Sequence, residues 1–377
     1  MMTRDQGHCR RLLIITASSI YSVWKYSVRM FRNSAFVIVA FILAYGLYVF
    51  PFMALWALYT ETSIFHLLSL LPALFAFGCL WVYLRTGNTN KILRAYVYYG
   101  MGVGFVALWV VGLALLVRAV AGFDARTIAL FAFVVILCLV GFSLINAWTI
   151  TQRHLTVTSA KITRPVRFAF ISDVHIGSHA PSHLDKICDR LCAMDIDAVL
   201  IGGDLFDSSD FRLQDLDALK RVTQDIFFVT GNHEFYVKGH QQLLDQFASL
   251  KITVLDNQAS DFAGINIIGI ADNQPVSEKA AAIARLHDPG RFNLALVHQP
   301  SAWERTKQHV DLMLCGHTHN GQIFPFRFLV KLQFSQIYGH YGNAGEQLYV
   351  SSGVGCWGPG MRLGSRNEIV LLSCAPD

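Results

Sequence analysis

The chain has 377 residues, 53% of them hydrophobic and only 15% charged, with a formal net charge of +5. Soluble domains carry about a quarter charged residues, so a wholly soluble protein is excluded, and the deficit falls before residue 150. Much of the positive charge flanks the apolar stretches, where anionic lipid accounts for it, and no nucleic acid partner is expected.

Residues 1–32 form a basic N-terminal segment with six Lys/Arg against one acid. Its apolar stretch Leu12–Trp24 is too short to span a bilayer. It ends in Trp24-Lys25-Tyr26, which suits an interfacial segment better than a signal peptide. Four uncharged windows follow, bounded by Arg32 and Glu61, Glu61 and Arg85, Arg94 and Arg118, and Arg126 and Arg153. Each is long enough to cross a bilayer as a helix, so residues 33–152 are expected to hold four transmembrane helices. The link between the second and third windows carries Arg85, Lys91 and Arg94 without an acid, and Arg153, Lys161, Arg164 and Arg167 follow the fourth. The positive-inside rule then places both the N-terminus and the domain from residue 153 in the cytoplasm.

Residues 153–377 alternate short β-prone runs with helical spacing. Strands are expected at Arg167–Ser172, Ala198–Ile201, Ile226–Thr230, Ile265–Ile270, Leu294–Val297, Val310–Cys315 and Ile369–Leu372. Helices are expected at Leu184–Met194, Leu213–Val222 and His240–Leu250. This alternation argues for a layered α/β architecture, and the sparser helices late in the chain favour a two-sheet sandwich with outer helices over a barrel. Eight cysteines are scattered, none at zinc-site spacing, and read as free thiols in a reducing compartment.

Short polar punctuations at the ends of these apolar runs carry the chemistry. They are Asp173-Val174-His175, Gly203-Asp204-Leu205-Phe206-Asp207, Gly231-Asn232-His233-Glu234, His298 and Gly316-His317-Thr318-His319. Loops on a rigid strand frame can hold several ligands within the tolerance of a metal ion. Asp173 and His175 alternate, as do His317 and His319, so each pair can point to one side of an extended loop. Carboxylate, imidazole and amide oxygen without thiolate suit Mn²⁺, Fe or Zn²⁺. Asp204 is the candidate to bridge two ions. His179, His183, His240, His287, His309 and His340 lack such motif neighbours and are left without a role.

The five motifs, in this order, resemble the calcineurin-like metallophosphoesterases, and specifically their membrane-linked bacterial phosphodiesterase branch. The resemblance covers roughly residues 165–375 and implies a four-layer αββα sandwich over residues 153–377, set behind the four transmembrane helices of a multi-pass inner-membrane protein. It implies one divalent ion, Mn²⁺ in the first place, on Asp173, His175 and His319. A second would sit on Asn232, His298 and His317, with Asp204 between them. His233 would contact the phosphoryl oxygen or protonate the leaving group, and Asp207 and Glu234 would support the ligands or line the pocket. In the run Gly358-Pro359-Gly360-Met361-Arg362, Arg362 would serve as a phosphate contact or as a structural or surface arginine. The branch has two glycines after the last histidine, where this chain has Asn320-Gly321.

The expected activity is metal-dependent phosphodiester hydrolysis at the membrane surface, on a membrane lipid or lipid-linked phosphoester. Hydrolysis of UDP-2,3-diacylglucosamine is the alternative substrate reading. A membrane sensor or scaffold with a ligand-binding phosphoesterase-like domain is the non-enzymatic one, and the intact motif set argues against it. The aromatic segment Phe324–His340 is either a core-packed excursion or a membrane-facing lid.

Overall fold

The computed structural model describes residues 36–86, 90–343 and 345–377, so the basic segment 1–32 lies outside the described residues. The chain opens with α1 (Phe36–Tyr48) and α2 (Phe50–Thr60), bent by 41° to one another. Pro51 explains the break: it lacks an N–H, and its ring crowds the carbonyl four residues back, that of Leu47. Gly104 lies directly against that carbonyl and leaves it room, since an added Cβ would collide with it. Three long helices follow, α3 (Leu70–Thr86), α4 (Lys91–Ala121) and α5 (Ala125–Trp148). With the short turn before α3 included, all three are long and apolar enough to cross a membrane. Of the four expected spans, three are thus matched by such helices, and the bent pair α1–α2 makes a fourth only if it counts as one span.

The remainder forms two six-stranded mixed sheets. Their strands are β1 (Ile150–Thr158), β2 (Val166–Ile171), β3 (Ala198–Ile201), β4 (Asp225–Phe228), β5 (Ile252–Val254), β6 (Gln258–Phe262), β7 (Ile265–Ile270), β8 (Phe292–Val297), β9 (Leu312–Cys315), β10 (Gly339–Asn343), β11 (Glu346–Val350) and β12 (Asn367–Ala375). The first sheet runs β1-β12-β2-β3-β4-β5 and the second β10-β11-β9-β8-β7-β6. Strands β2 to β5 are mutually parallel, as are β7, β8, β9 and β11. Such strands are apolar on both faces because both faces are covered. Phe168, Phe170, Leu200, Leu294, Leu296 and Leu314 fill the space between the sheets. Helix Pro181–Cys192 covers the outer face of the first through Leu184, Ile187 and Leu191, and helix Val276–Leu286 covers the second through Ala282 and Ile283.

Two features were not visible in the amino-acid pattern. Strand β1 follows α5 after a single residue and pairs in parallel with β12 from Ile150↔Asn367 to Thr158↔Ala375. Its Arg153 had suggested only a charged flank to the last span. The segment Leu213–Val222, expected as a helix, is wound as a 3₁₀ helix over Leu213–Arg221. Because α5 runs straight into the sheet, the membrane-type helices and the sandwich share hydrogen bonds: Asn367 Nδ2 donates to the carbonyl of Ala147 at 2.6 Å, and the Arg362 amide to that of Ser143 at 2.9 Å.

Candidate metal centre

Each chemical motif begins at or just past the carboxyl end of a parallel strand. Asp173 and His175 follow β2, Asp204 follows β3, Asn232 to Glu234 follow β4, His298 follows β8, and His317 and His319 follow β9. Parallel strands all end on one side of a sheet, so this edge collects loops from both sheets. The turns there are sharp enough that Asp173, His175, Asp204, His317 and His319 all have φ between 48° and 70°. That region is unfavourable for a residue with a Cβ, and such strain concentrates where geometry must be held for function.

Asp173, His175 and His319 present ligand atoms within 4.8 Å of one another, and so do Asp204, His298 and His317. Asp204 Oδ2 lies 3.2 Å from His298 Nε2 and 3.8 Å from His175 Nε2, facing both groups. The Oδ1 of Asn232 is buried and has no hydrogen-bond partner among the described residues. A buried acceptor left unpaired costs about 1–3 kcal/mol, and a bound cation removes that cost.

The imidazoles are turned to the same end. His298 Nδ1 donates to the carbonyl of Gly202 at 2.8 Å, and His175 Nδ1 lies 3.1 Å from the Asp207 carboxylate. Both contacts fix the Nδ1–H tautomer and aim the Nε2 lone pair inward. There His175 Nε2 meets His319 Nε2 at 3.2 Å, and His298 Nε2 meets His317 Nδ1 at 3.3 Å. Nitrogens bound about 2.0–2.1 Å from one tetrahedral ion stand at about this separation. The residues present therefore fit divalent ions at two groups, one of Asp173, His175 and His319 and one of Asp204, His298 and His317, with the unpaired Asn232 Oδ1 as a further donor.

Burial pushes His319 well below its ordinary range, with His175 and the Arg362 guanidinium adding to the effect. Burial also brings His317 down to about 3 and His233 to about 4. At neutral pH these rings are uncharged, the form a metal ligand requires. For His298 burial pulls down too, but the Asp204, Asp173 and Asp272 carboxylates outweigh it and hold the ring well above its usual range.

A family model for calcineurin-like phosphoesterases matches residues 166–321, the span that carries every one of these ligands. Phosphodiesterase YaeI of Escherichia coli is 30% identical over 246 residues, 60% of this chain and 88% of that protein. The chain belongs to the calcineurin-like phosphoesterase family. An uncharacterized metallophosphoesterase of Helicobacter pylori is 34% identical over 229 residues, 57% of this chain and 61% of its own length. A Bos taurus transmembrane protein with metallophosphoesterase domain is 30% identical over 56% of this chain and 54% of that one. The match thus spans a little over half to three fifths of those two relatives.

The rest of this phosphoesterase site is support. Glu234 is buried and accepts from the amides of Asp204, Leu205, Phe206 and Gly231, tying the β3 and β4 loops together. Burial and the nearby Asp204 push its carboxyl up to about 7, against the pull of these amides. Arg362 is fully buried, 0% exposed, and donates to the carbonyls of His319, Ser352 and Gly355. This corrects the surface reading and favours the structural one: Nη1 and Nη2 are spent on carbonyls behind His319, while Nε is buried without a hydrogen-bond partner among the described residues.

Several contributors had no motif to mark them. Ser172 Oγ donates to Asp173 Oδ2 at 2.6 Å, and the Gly202 carbonyl orients His298. Trp357, half exposed, stands with its ring 6.1 Å from that of His233, and Phe334 packs 5.2 Å from His317. The core-packed reading of the 324–340 segment holds only for Phe334 and Ile337. Phe324, Phe328, Leu329 and Leu332 are exposed beside α4, where Phe105 meets Phe326 edge-on at 6.1 Å.

Proposed function

We propose that this protein is a dinuclear metal-dependent phosphodiesterase acting at the membrane surface on a lipid or lipid-linked phosphoester. The observation that carries the reading is Asp204, one carboxylate oxygen facing both ligand groups. The chemistry a bound pair of divalent ions supplies is an activated water and neutralised phosphoryl charge. The chain's own groups do the rest. Asp207 keeps His175 Nδ1 protonated, and the Gly202 carbonyl does the same for His298. Asp204 Oδ1 accepts the His233 amide at 2.8 Å, which sets the His233 ring at the mouth beside Tyr236 and Trp357. Neutral His233 is placed to donate an N–H to a phosphoryl or leaving oxygen, and an arriving phosphoester anion favours its protonated form. Mn²⁺ is the first choice of ion, with Fe or Zn²⁺ open to the same donor set.

Three observations support the membrane-surface part. Three helices could cross a bilayer, the second sheet's 324–332 segment exposes apolar side chains beside them, and the loop charges favour a cytoplasmic domain in a multi-pass inner-membrane protein. The test uses full-length protein in detergent, chelated and then reconstituted with Mn²⁺. It is offered bis-p-nitrophenyl phosphate and UDP-2,3-diacylglucosamine, with Asp204→Ala as control. Metal-dependent cleavage of the diester supports the proposal, and UMP release from the lipid nucleotide alone assigns the narrower substrate. No turnover of either with both ions bound would sink the enzymatic reading and leave a ligand-binding sensor or scaffold.

A further inference from the structure

We propose that the cavity between α4, α5 and the loop around Gly358 and Gly360 is a headgroup site for an anionic membrane phospholipid, separate from the metal centre. It encloses about 190 Å³, and none of the metal ligands lines it. Lys91 and Arg94 on the first turn of α4 contribute two cations to its wall, and no carboxylate lines it among the described residues. A partly enclosed space with two cations and no acid favours an anion. The first-turn amides of Ile92 and Leu93 are already taken by the Asn90 side chain, so the preference rests on side chains and not on the helix end.

Position argues for lipid. Lys91 opens α4 and Trp148 closes α5, so both lie at the helix ends that meet the catalytic sandwich. Basic residues and tryptophan are characteristic of that depth, where phosphate headgroups sit. The volume argues in the same direction. Sites that enclose a drug-sized molecule run to roughly 300–1,000 Å³, so this one takes a headgroup and leaves the acyl chains along the apolar helices.

The cavity also touches the support of the metal centre. Tyr98 and Ser178 both line it. The Tyr98 hydroxyl oxygen lies 3.4 Å from Ser178 Oγ, which donates to Asp207 Oδ2 at 2.5 Å, and Asp207 in turn holds His175. An occupant beside Tyr98 and Ser178 therefore bears on the carboxylate that orients a metal ligand.

The experiment reads binding alone, so its failure is independent of any hydrolytic activity. Full-length protein in detergent is incubated with an equal mixture of dioleoyl phosphatidylglycerol and dioleoyl phosphatidylcholine and examined by native mass spectrometry. We expect one phosphatidylglycerol retained in preference to phosphatidylcholine, and a loss of about tenfold or more in the Lys91→Ala/Arg94→Ala double variant. Lys91→Arg/Arg94→Lys, which keeps the charge, should retain the lipid. Ala95→Phe fills the cavity without altering a charge and should abolish retention, which covers the case that the double variant does not fold. Equal retention in wild type, double variant and Ala95→Phe would overturn the proposal. So would binding of millimolar inorganic phosphate by a protein that retains no phosphatidylglycerol, since the site would then serve a soluble anion.

Discussion

Asp207 receives the Nδ1 proton of His175 at 3.1 Å while its other oxygen accepts the amide of Ser178 at 2.8 Å. The carboxylate is thus pinned from the loop after β2 although it belongs to the loop after β3. Removing it frees the His175 ring to rotate and to take the other tautomer. Asp207→Ala should lower metal affinity by about 10–100-fold with the fold intact. Metal content measured by plasma mass spectrometry against graded chelator tests this; unchanged retention would show that His175 needs no such support.

The legible part of this site is the part that sits next to punctuation. Asp173, Asp204, Asn232, His298 and His317 each lie just after an apolar strand or a glycine, and His319 repeats His317 two residues on, so local pattern marks them. The alternation that suggested Asp173 and His175 share one side was argued from an extended loop, whereas the structure places them in left-handed turns. Gly202 and Tyr98 act through hydrogen bonds between distant segments and Ser172 through one to its own neighbour Asp173, and no spacing rule encodes those. Strand β1 was hidden for a related reason: its partner β12 is more than two hundred residues away, and on a sheet edge its polar residues look like a linker. Arg362 shows the converse limit, since a cation among glycines leaves phosphate contact and a structural or surface role open until its burial is known.

His233 belongs to neither of the two ligand sets assigned to the ions, yet its ring sits at the mouth 4.8 Å from that of His175. His233→Ala should leave two ions per chain and reduce kcat by about 10²–10⁴-fold, the usual contribution of a positioned proton donor. Loss of metal together with activity would mean that the ring serves as a ligand. Steady-state diester hydrolysis beside metal analysis separates the two.

Stability should depend on pH through His183. Its ring is buried, stacked on His179 at a centroid distance of 4.3 Å, and in contact with the Val354 carbonyl at 3.0 Å. Burial holds its pKa below the ordinary 6.5, and the nearby Lys186 and Arg362 add to this against the Val354 contact. Below pH 6.5 the unfolded chain binds a proton that the folded chain refuses, so stability falls as pH falls, by at most about 1.4 kcal/mol per pH unit for one group. His183→Gln can still donate to Val354 and does not titrate. Its melting temperature should therefore decline less than wild type between pH 7.5 and 5.5 at saturating Mn²⁺, and parallel curves would contradict the assignment.

Gly353 offers the most local test of how the sandwich holds the first ion. It has φ of +80°, a conformation that costs a residue with a Cβ about 1–2 kcal/mol. A Cβ there would also stand 2.7 Å from Cβ of Asp173, inside any real contact. Asp173 cannot easily yield, because its carboxylate already accepts from Ser172 Oγ and from the His317 amide at 3.0 Å. The neighbouring amides of Val354 and Gly355 donate back to the carbonyls of Ser172 and Asp173, so the turn cannot simply swing away. Gly353→Ala should therefore both lower the melting temperature and weaken binding of the ion on Asp173, His175 and His319, leaving one tightly held ion where wild type holds two. Gly290→Ala, at an exposed loop position with no close neighbour, is the control and should change neither. If Gly353→Ala kept both ions at wild-type affinity, the turn would be free to relax, and Asp173 would be held by its own loop alone.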